Sequence, residues 1–105
     1  MNRTRRPIAK NHFLHPHCVC LEFVNRQARQ VAIAGSFNDW RPAATPMVPM
    51  GSGWWVKGLV LSPGRHEYRL VVDGQEMPDP NALQTTRGSD GRASSVLVVA
   101  GEANK

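Results

Sequence analysis

Apolar residues alternate with polar ones in short runs along this chain, and nowhere does a 3.6-residue apolar period persist for three turns. Cys18 to Val24 places Val19, Leu21 and Phe23 on one face, the pattern of a half-buried strand. Val31 to Gly35 reads as a second strand and Trp54 to Leu61 as a third. His66 to Val72 is the fourth, with Tyr68, Leu70 and Val72 on one face and Glu67, Arg69 and Val71 on the other. Ser95 to Ala100, rich in Val and Leu, is the last.

Turn chemistry separates these runs. Asn25 to Gln30 is polar, Ser36 to Pro42 is an aromatic loop, and Gly51-Ser52-Gly53 and Ser62-Pro63-Gly64 are turn signals. Asp73-Gly74 is the strongest short hairpin signal, and Asp79-Pro80 marks another turn. Pro42, Pro46 and Pro49 exclude a helix and keep their segment extended, and residues 81–94 read as a loop. Short strands separated by Gly and Pro predict an all-β, antiparallel sandwich. The third strand has an awkward parity, because Lys57 shares a face with Trp55, Leu59 and Leu61. Either Lys57 snorkels at the rim or a bulge switches the face, and one of Trp54 and Trp55 belongs to the core.

The 105 residues suffice for one domain with one modest core. Composition divides it into a basic N-terminal arm, 1–16, expected to be flexible, a sandwich over 17–101, and a tail, 102–105. The 13 Lys and Arg outnumber the 8 Asp and Glu, giving a formal charge of +5, which at first suggests a nucleic-acid partner. Arg3, Arg5, Arg6 and Lys10 carry that excess, so the remainder is near neutral and nucleic acid becomes an unlikely partner. No apolar run has the ~20 residues of a membrane span and no secretory signal follows the basic start, so the expectation is a cytoplasmic protein without a membrane partner.

Candidate chemistry is sparse. Gly35-Ser36 lacks the glycine that a nucleophile elbow needs at position 38, and there is no phosphate-binding glycine loop. Asp39, Asp73, Asp79 and Asp90 all sit beside turn residues, where Asp serves the backbone. The expectation is a non-catalytic protein without a cofactor. His12, His15, His17, Cys18 and Cys20 are potential metal ligands, but no second ligand pair follows, His66 being a lone distant candidate. Ordinary strand thiols and no metal are expected.

Three of the seven aromatic residues are Trp. Trp40 stands in a polar loop between Asn38, Asp39, Arg41 and Pro42, as a packed anchor or as an exposed platform. An exposed indole suits the C–H face of a sugar ring, and a neighbouring amide such as Asn38 suits its hydroxyls.

The segments "VAIAGSFNDW", "PGRHEYRLVVDGQ" and "DP", in this order and spacing, are similar to the glycogen-binding domain of the AMP-activated protein kinase beta subunit. They are equally similar to carbohydrate-binding module family 48 and isoamylase-type early-set domains, over about residues 19–100. The resemblance implies an immunoglobulin-like, early-set sandwich that binds α-1,4-glucans or acts as a structural appendage. It places the first sugar-stacking tryptophan on Trp40 and a hydroxyl-binding basic residue on Arg69. It puts Trp55 in the core and leaves Trp54 exposed, a further stacking surface if it faces the same side. The second stacking position is Glu76, a carboxylate that accepts hydroxyl hydrogen bonds but offers no plane. In the last loop the apolar finger becomes Asp90, Arg92 follows, and the sugar-contacting position is Ser94.

Two functions follow from the resemblance. One is a glycogen- or starch-binding module contacting α-glucan through Trp40, Arg69, Asn38, Glu76, Arg92 and Ser94. The other is an early-set domain that has lost glucan binding and mediates protein contact or self-association, as Glu76 and Asp90 suggest. Such modules serve a neighbouring domain, and a chain of this length has no room for one. It is therefore expected to act in trans on a protein partner or an enzyme of glycogen metabolism, with the basic arm as a docking segment.

Overall fold

A computed structural model describes residues 17–101, so the expectations for the arm and its His12 and His15, and for the tail, lie outside the described residues. The strands are β1 (Cys18–Val24), β2 (Val31–Gly35), β3 (Val48–Gly51), β4 (Trp54–Val60), β5 (Gly64–Val72), β6 (Gln75–Met77), β7 (Gln84–Arg87) and β8 (Ala93–Val99). They form two antiparallel sheets: a three-stranded one in the order β1-β4-β3, and a five-stranded one in the order β2-β5-β8-β7 with β6 paired to β5. The protein is an immunoglobulin-like β-sandwich.

Inward-facing side chains of both sheets make the core. Leu21 and Phe23 of β1 and Trp55 and Leu59 of β4 meet Ile33 of β2 and Tyr68 and Leu70 of β5. Trp55 is buried and Trp54 exposed, which settles the choice between them. Lys57 is half-buried and the β1–β4 register is continuous, so no bulge reverses β4 against β1. The register shift falls instead in β3, between Pro49 and Gly51.

Three strands depart from the sequence expectation. β3 forms although it contains Pro49, because it is an edge strand and proline is tolerated there. β6 is the short return of the Asp73-Gly74 hairpin, and β7 (Gln-Thr-Thr-Arg) lies within the segment read as a loop. The prolines also do not keep their segment wholly extended. Pro42 starts a single 3-10 turn, Pro42–Ala44, a position where its missing N–H costs nothing.

A buried polar cluster ties the last turn to the core. The Tyr68 hydroxyl donates to Asp79 Oδ2 at 2.6 Å, the Asp79 N–H donates to Ser95 Oγ at 2.7 Å, and Asp79 Oδ1 accepts the Asn81 N–H at 2.9 Å. Burial, followed by the bond to Asp79, pushes the Tyr68 hydroxyl well above the ordinary tyrosine range. The folded state therefore holds that proton more tightly than the unfolded chain. Its contribution is complete below the unfolded tyrosine pKa of about 10 and is lost as the pH rises beyond it. Denaturant midpoints measured upward from pH 9 are expected to fall above pH ~10 and to fall less in Tyr68→Phe.

Candidate carbohydrate site

The loop after β2 is shaped by Asn38. Its Oδ1 accepts the Gly35 N–H at 2.9 Å and the Arg41 N–H at 3.3 Å, and its Nδ2 donates to Ile33 O and Thr45 Oγ1, both at 2.9 Å. With these contacts made, Asn38 holds the loop and does not line the groove beside Trp40. Asp39 and Trp40 take positive φ values of 57° and 59°, a left-handed conformation unfavourable for a bulky side chain. The Trp40 N–H bonds Gly35 O at 2.9 Å, and the indole keeps 39% of its surface in solvent.

Arg69 projects from the outer face of the five-stranded sheet, as the alternation of β5 requires, yet it is only 6% exposed. Its guanidinium carbon lies 5.2 Å from the centre of a Trp40 ring. Nη1 and Nη2 each donate to one oxygen of Asp90 at 2.9 Å, and Nη1 also donates to Glu76 Oε1 at 3.2 Å. Nε donates to Ser94 Oγ at 3.0 Å and Ala93 O at 3.1 Å. Such a bidentate pair is the strong form of an Arg–carboxylate contact.

Arg92 closes the cluster from outside, donating through Nε to Asp90 at 3.1 Å and reaching Glu76 Oε1 through Nη2 at 2.8 Å. Two cations and two carboxylates thus balance. The Arg69 bond, followed by the Arg92 N–H, holds the Asp90 carboxyl well below the usual carboxylate range. The bond to Asp90 correspondingly raises Arg69, against the opposing effect of burial. A depressed carboxyl keeps its stabilising charge wherever unfolded Asp is ionised and loses it only as the pH falls far into acid.

Gly88 allows this close approach. A Cβ there would lie 2.7 Å from Arg69 Nη2, so any larger residue displaces the guanidinium. Trp40, Glu67, Arg69, Glu76, Gly88, Ser89, Asp90 and Arg92 line a groove of about 290 Å³, near the lower end of the size of small-ligand sites.

The structure therefore brings Trp40, Arg69, Glu76 and Arg92 together. Ser94 touches Arg69 from beneath and is fully buried. Trp54 stands on the outer face of the opposite sheet, because it pairs with Val24, and does not extend this groove. Asp90 is the residue whose role sequence reasoning misses. Its grip on Arg69 spans 21 positions and has no local signal. The Arg69–Glu76 contact did have one: the Asp73-Gly74 turn sets Val71 opposite Glu76, which places Glu76 diagonal to Arg69 on the same face.

A family model described as the glycogen recognition site of AMP-activated protein kinase matches residues 19–105. No curated protein matches the chain.

Proposed function

The chain belongs to the family of AMP-activated protein kinase glycogen recognition sites, and from that premise we propose that its Trp40 groove binds α-1,4-glucan without catalysing a reaction. The observation that carries this is the half-exposed indole of Trp40, backed by Arg69 and bordered by solvent-facing polar groups. A pyranose ring stacks on the indole. Its hydroxyls meet the second carboxylate oxygen of Glu76, whose side chain is 35% exposed, and the more exposed Arg92, while both oxygens of Asp90 are taken up by Arg69 and Arg92. Arg69 keeps its donors on Asp90, Glu76 and Ser94, so it positions the carboxylates and Trp40 and leaves the hydroxyl contacts to the rim.

One aromatic plane makes this a weak site. Aromatic stacking on a π-face contributes about 1–3 kcal/mol per ring in comparable platforms, and among the described residues no second plane lines the groove. Every lining carboxylate is paired, Glu67 with Arg65 and Glu76 and Asp90 with Arg69 and Arg92, which suits a neutral glucan. The second function, protein contact without glucan, draws support from the exposed Val24, Val48, Met50 and Val60 on the three-stranded sheet.

Tryptophan emission titrated with maltoheptaose tests the site. A saturable change is expected in the native protein and in Trp54→Phe, and its loss in Trp40→Leu. An unchanged spectrum for the native protein contradicts the proposal.

A further inference from the structure

Among the described residues every free strand edge but one is protected or short, the three-residue β6 included. β2 is covered by the segment that follows the 3-10 turn, with Ile33 N–H bonded to Thr45 O and Met47 N–H bonded to Val31 O. β3 carries Pro49 and a register shift. β7 has four residues. β1 has seven residues and contains no proline, lysine or bulge, devices that commonly guard an edge.

The hydrogen-bond phase of β1 shows which groups its edge presents. His17 O accepts the Leu61 N–H at 3.1 Å, and the Asn25 N–H donates to Gly53 O at 2.8 Å, so odd-numbered residues bond towards β4. The even-numbered residues direct N–H and C=O away from the sheet. Glu22 O is taken by Asn81 Nδ2 at 3.0 Å. The N–H and C=O of Cys18 and Cys20, and the Glu22 N–H, have no bond among the described residues.

Beside this edge, between the two sheets, runs a groove of about 480 Å³. Leu83, 98% exposed, and Val98, 60% exposed, line it with Val19, Leu21 and Leu97. Its charged lining residues are Glu22 and Asp79, and among the described residues no basic side chain faces them from the groove. Asp79 is held by Tyr68, whereas the exposed Glu22 carboxylate has one bond, from Trp54 Nε1 at 2.9 Å.

We propose that β1 is a docking edge for an extended peptide of a protein partner, which pairs with Cys18 and Cys20 as an added antiparallel strand. Alternate apolar side chains of the peptide enter the groove against Leu83 and Val98, and a lysine or arginine on its other face meets Glu22. Charge decides between this partner and a second copy of the chain. A copy of β1 brings another Glu22 and no basic residue, since Cys18–Val24 contains none.

The probe is a capped seven-residue peptide alternating valine and threonine with a central lysine, added to the full chain, with amide hydrogen exchange read residue by residue. At about 1 mM peptide, the range of weak strand addition, exchange at Cys18 and Cys20 is expected to slow by about tenfold or more. Cys20→Pro removes an outward N–H without removing a β1–β4 bond, and Leu83→Glu alters an exposed side chain; both are expected to abolish the slowing. A peptide with glutamate in place of lysine is expected to bind more weakly. Unaltered exchange at saturating peptide overturns the proposal. So does slowing that grows with protein concentration in the absence of peptide, which assigns the edge to a second copy.

Discussion

Replacing Trp40 by alanine is expected to weaken binding to malto-oligosaccharides by about 5- to 150-fold, the equivalent of the ~1–3 kcal/mol that one stacking plane supplies. The loss is large because, among the described residues, the groove has no other aromatic lining residue. It is also expected to leave the fold intact. The indole is 39% exposed, and the loop is held by Asn38 and by the Trp40 main-chain N–H, none of which the substitution removes. Isothermal titration with maltoheptaose reads the affinity, and thermal unfolding reads the fold. A Trp40→Ala protein that binds as well as the native one places the sugar elsewhere. One that unfolds tens of degrees early assigns Trp40 to packing instead.

The largest effect on stability is expected at Tyr68. Removing its hydroxyl in Tyr68→Phe preserves the ring, which is 2% exposed, but deprives the buried Asp79 carboxylate of its 2.6 Å donor. Leaving a buried charged acceptor without its partner costs about 2–3 kcal/mol. For a domain of this size that lowers Tm by roughly 10–20 °C. Asp79→Asn retains an oxygen for the tyrosine and is expected to lose about half as much. Equal stability of Tyr68→Phe and the native protein shows that the hydroxyl–carboxylate bond contributes nothing net. Glucan affinity is expected to stay unchanged in either variant, since both residues lie inside the sandwich and outside the Trp40 groove.

The two variants separate what is legible in the sequence from what is not. Alternation in Cys18–Val24 and His66–Val72 exposes the core face directly, because a strand has a period of two and one face must be buried. β3 and β7 escape because edge strands need no apolar alternation; Val-Pro-Met-Gly and Gln-Thr-Thr-Arg are almost wholly exposed. Asp79-Pro80 reads correctly as a turn, and the Asp79–Asn81 bond is of the local kind such a turn implies. That the same carboxylate also closes on Tyr68 is a tertiary fact with no local trace.

The site divides in the same way. Trp40 and the outward direction of Arg69 follow from loop chemistry and strand parity. The burial of Arg69 does not, because it depends on Asp90 and Arg92 arriving from a loop 21 and 23 positions away. Asn38 and Ser94 have the polarity of sugar-binding groups, and their structural bonds become apparent only when the loop and β8 are folded. Polar residue type thus identifies the neighbourhood of the site, while the remaining hydrogen-bond capacity of each group decides which of them can face a ligand.

The central claim, that this member of the glycogen-recognition family still binds glucan through one tryptophan and a rim of paired charges, meets its most direct test in native gel electrophoresis through glycogen. Migration of the native protein is expected to slow progressively as the glycogen concentration rises, and Trp40→Ala is expected to run as it does in a plain gel. Unchanged migration of the native protein at high glycogen concentration contradicts the claim.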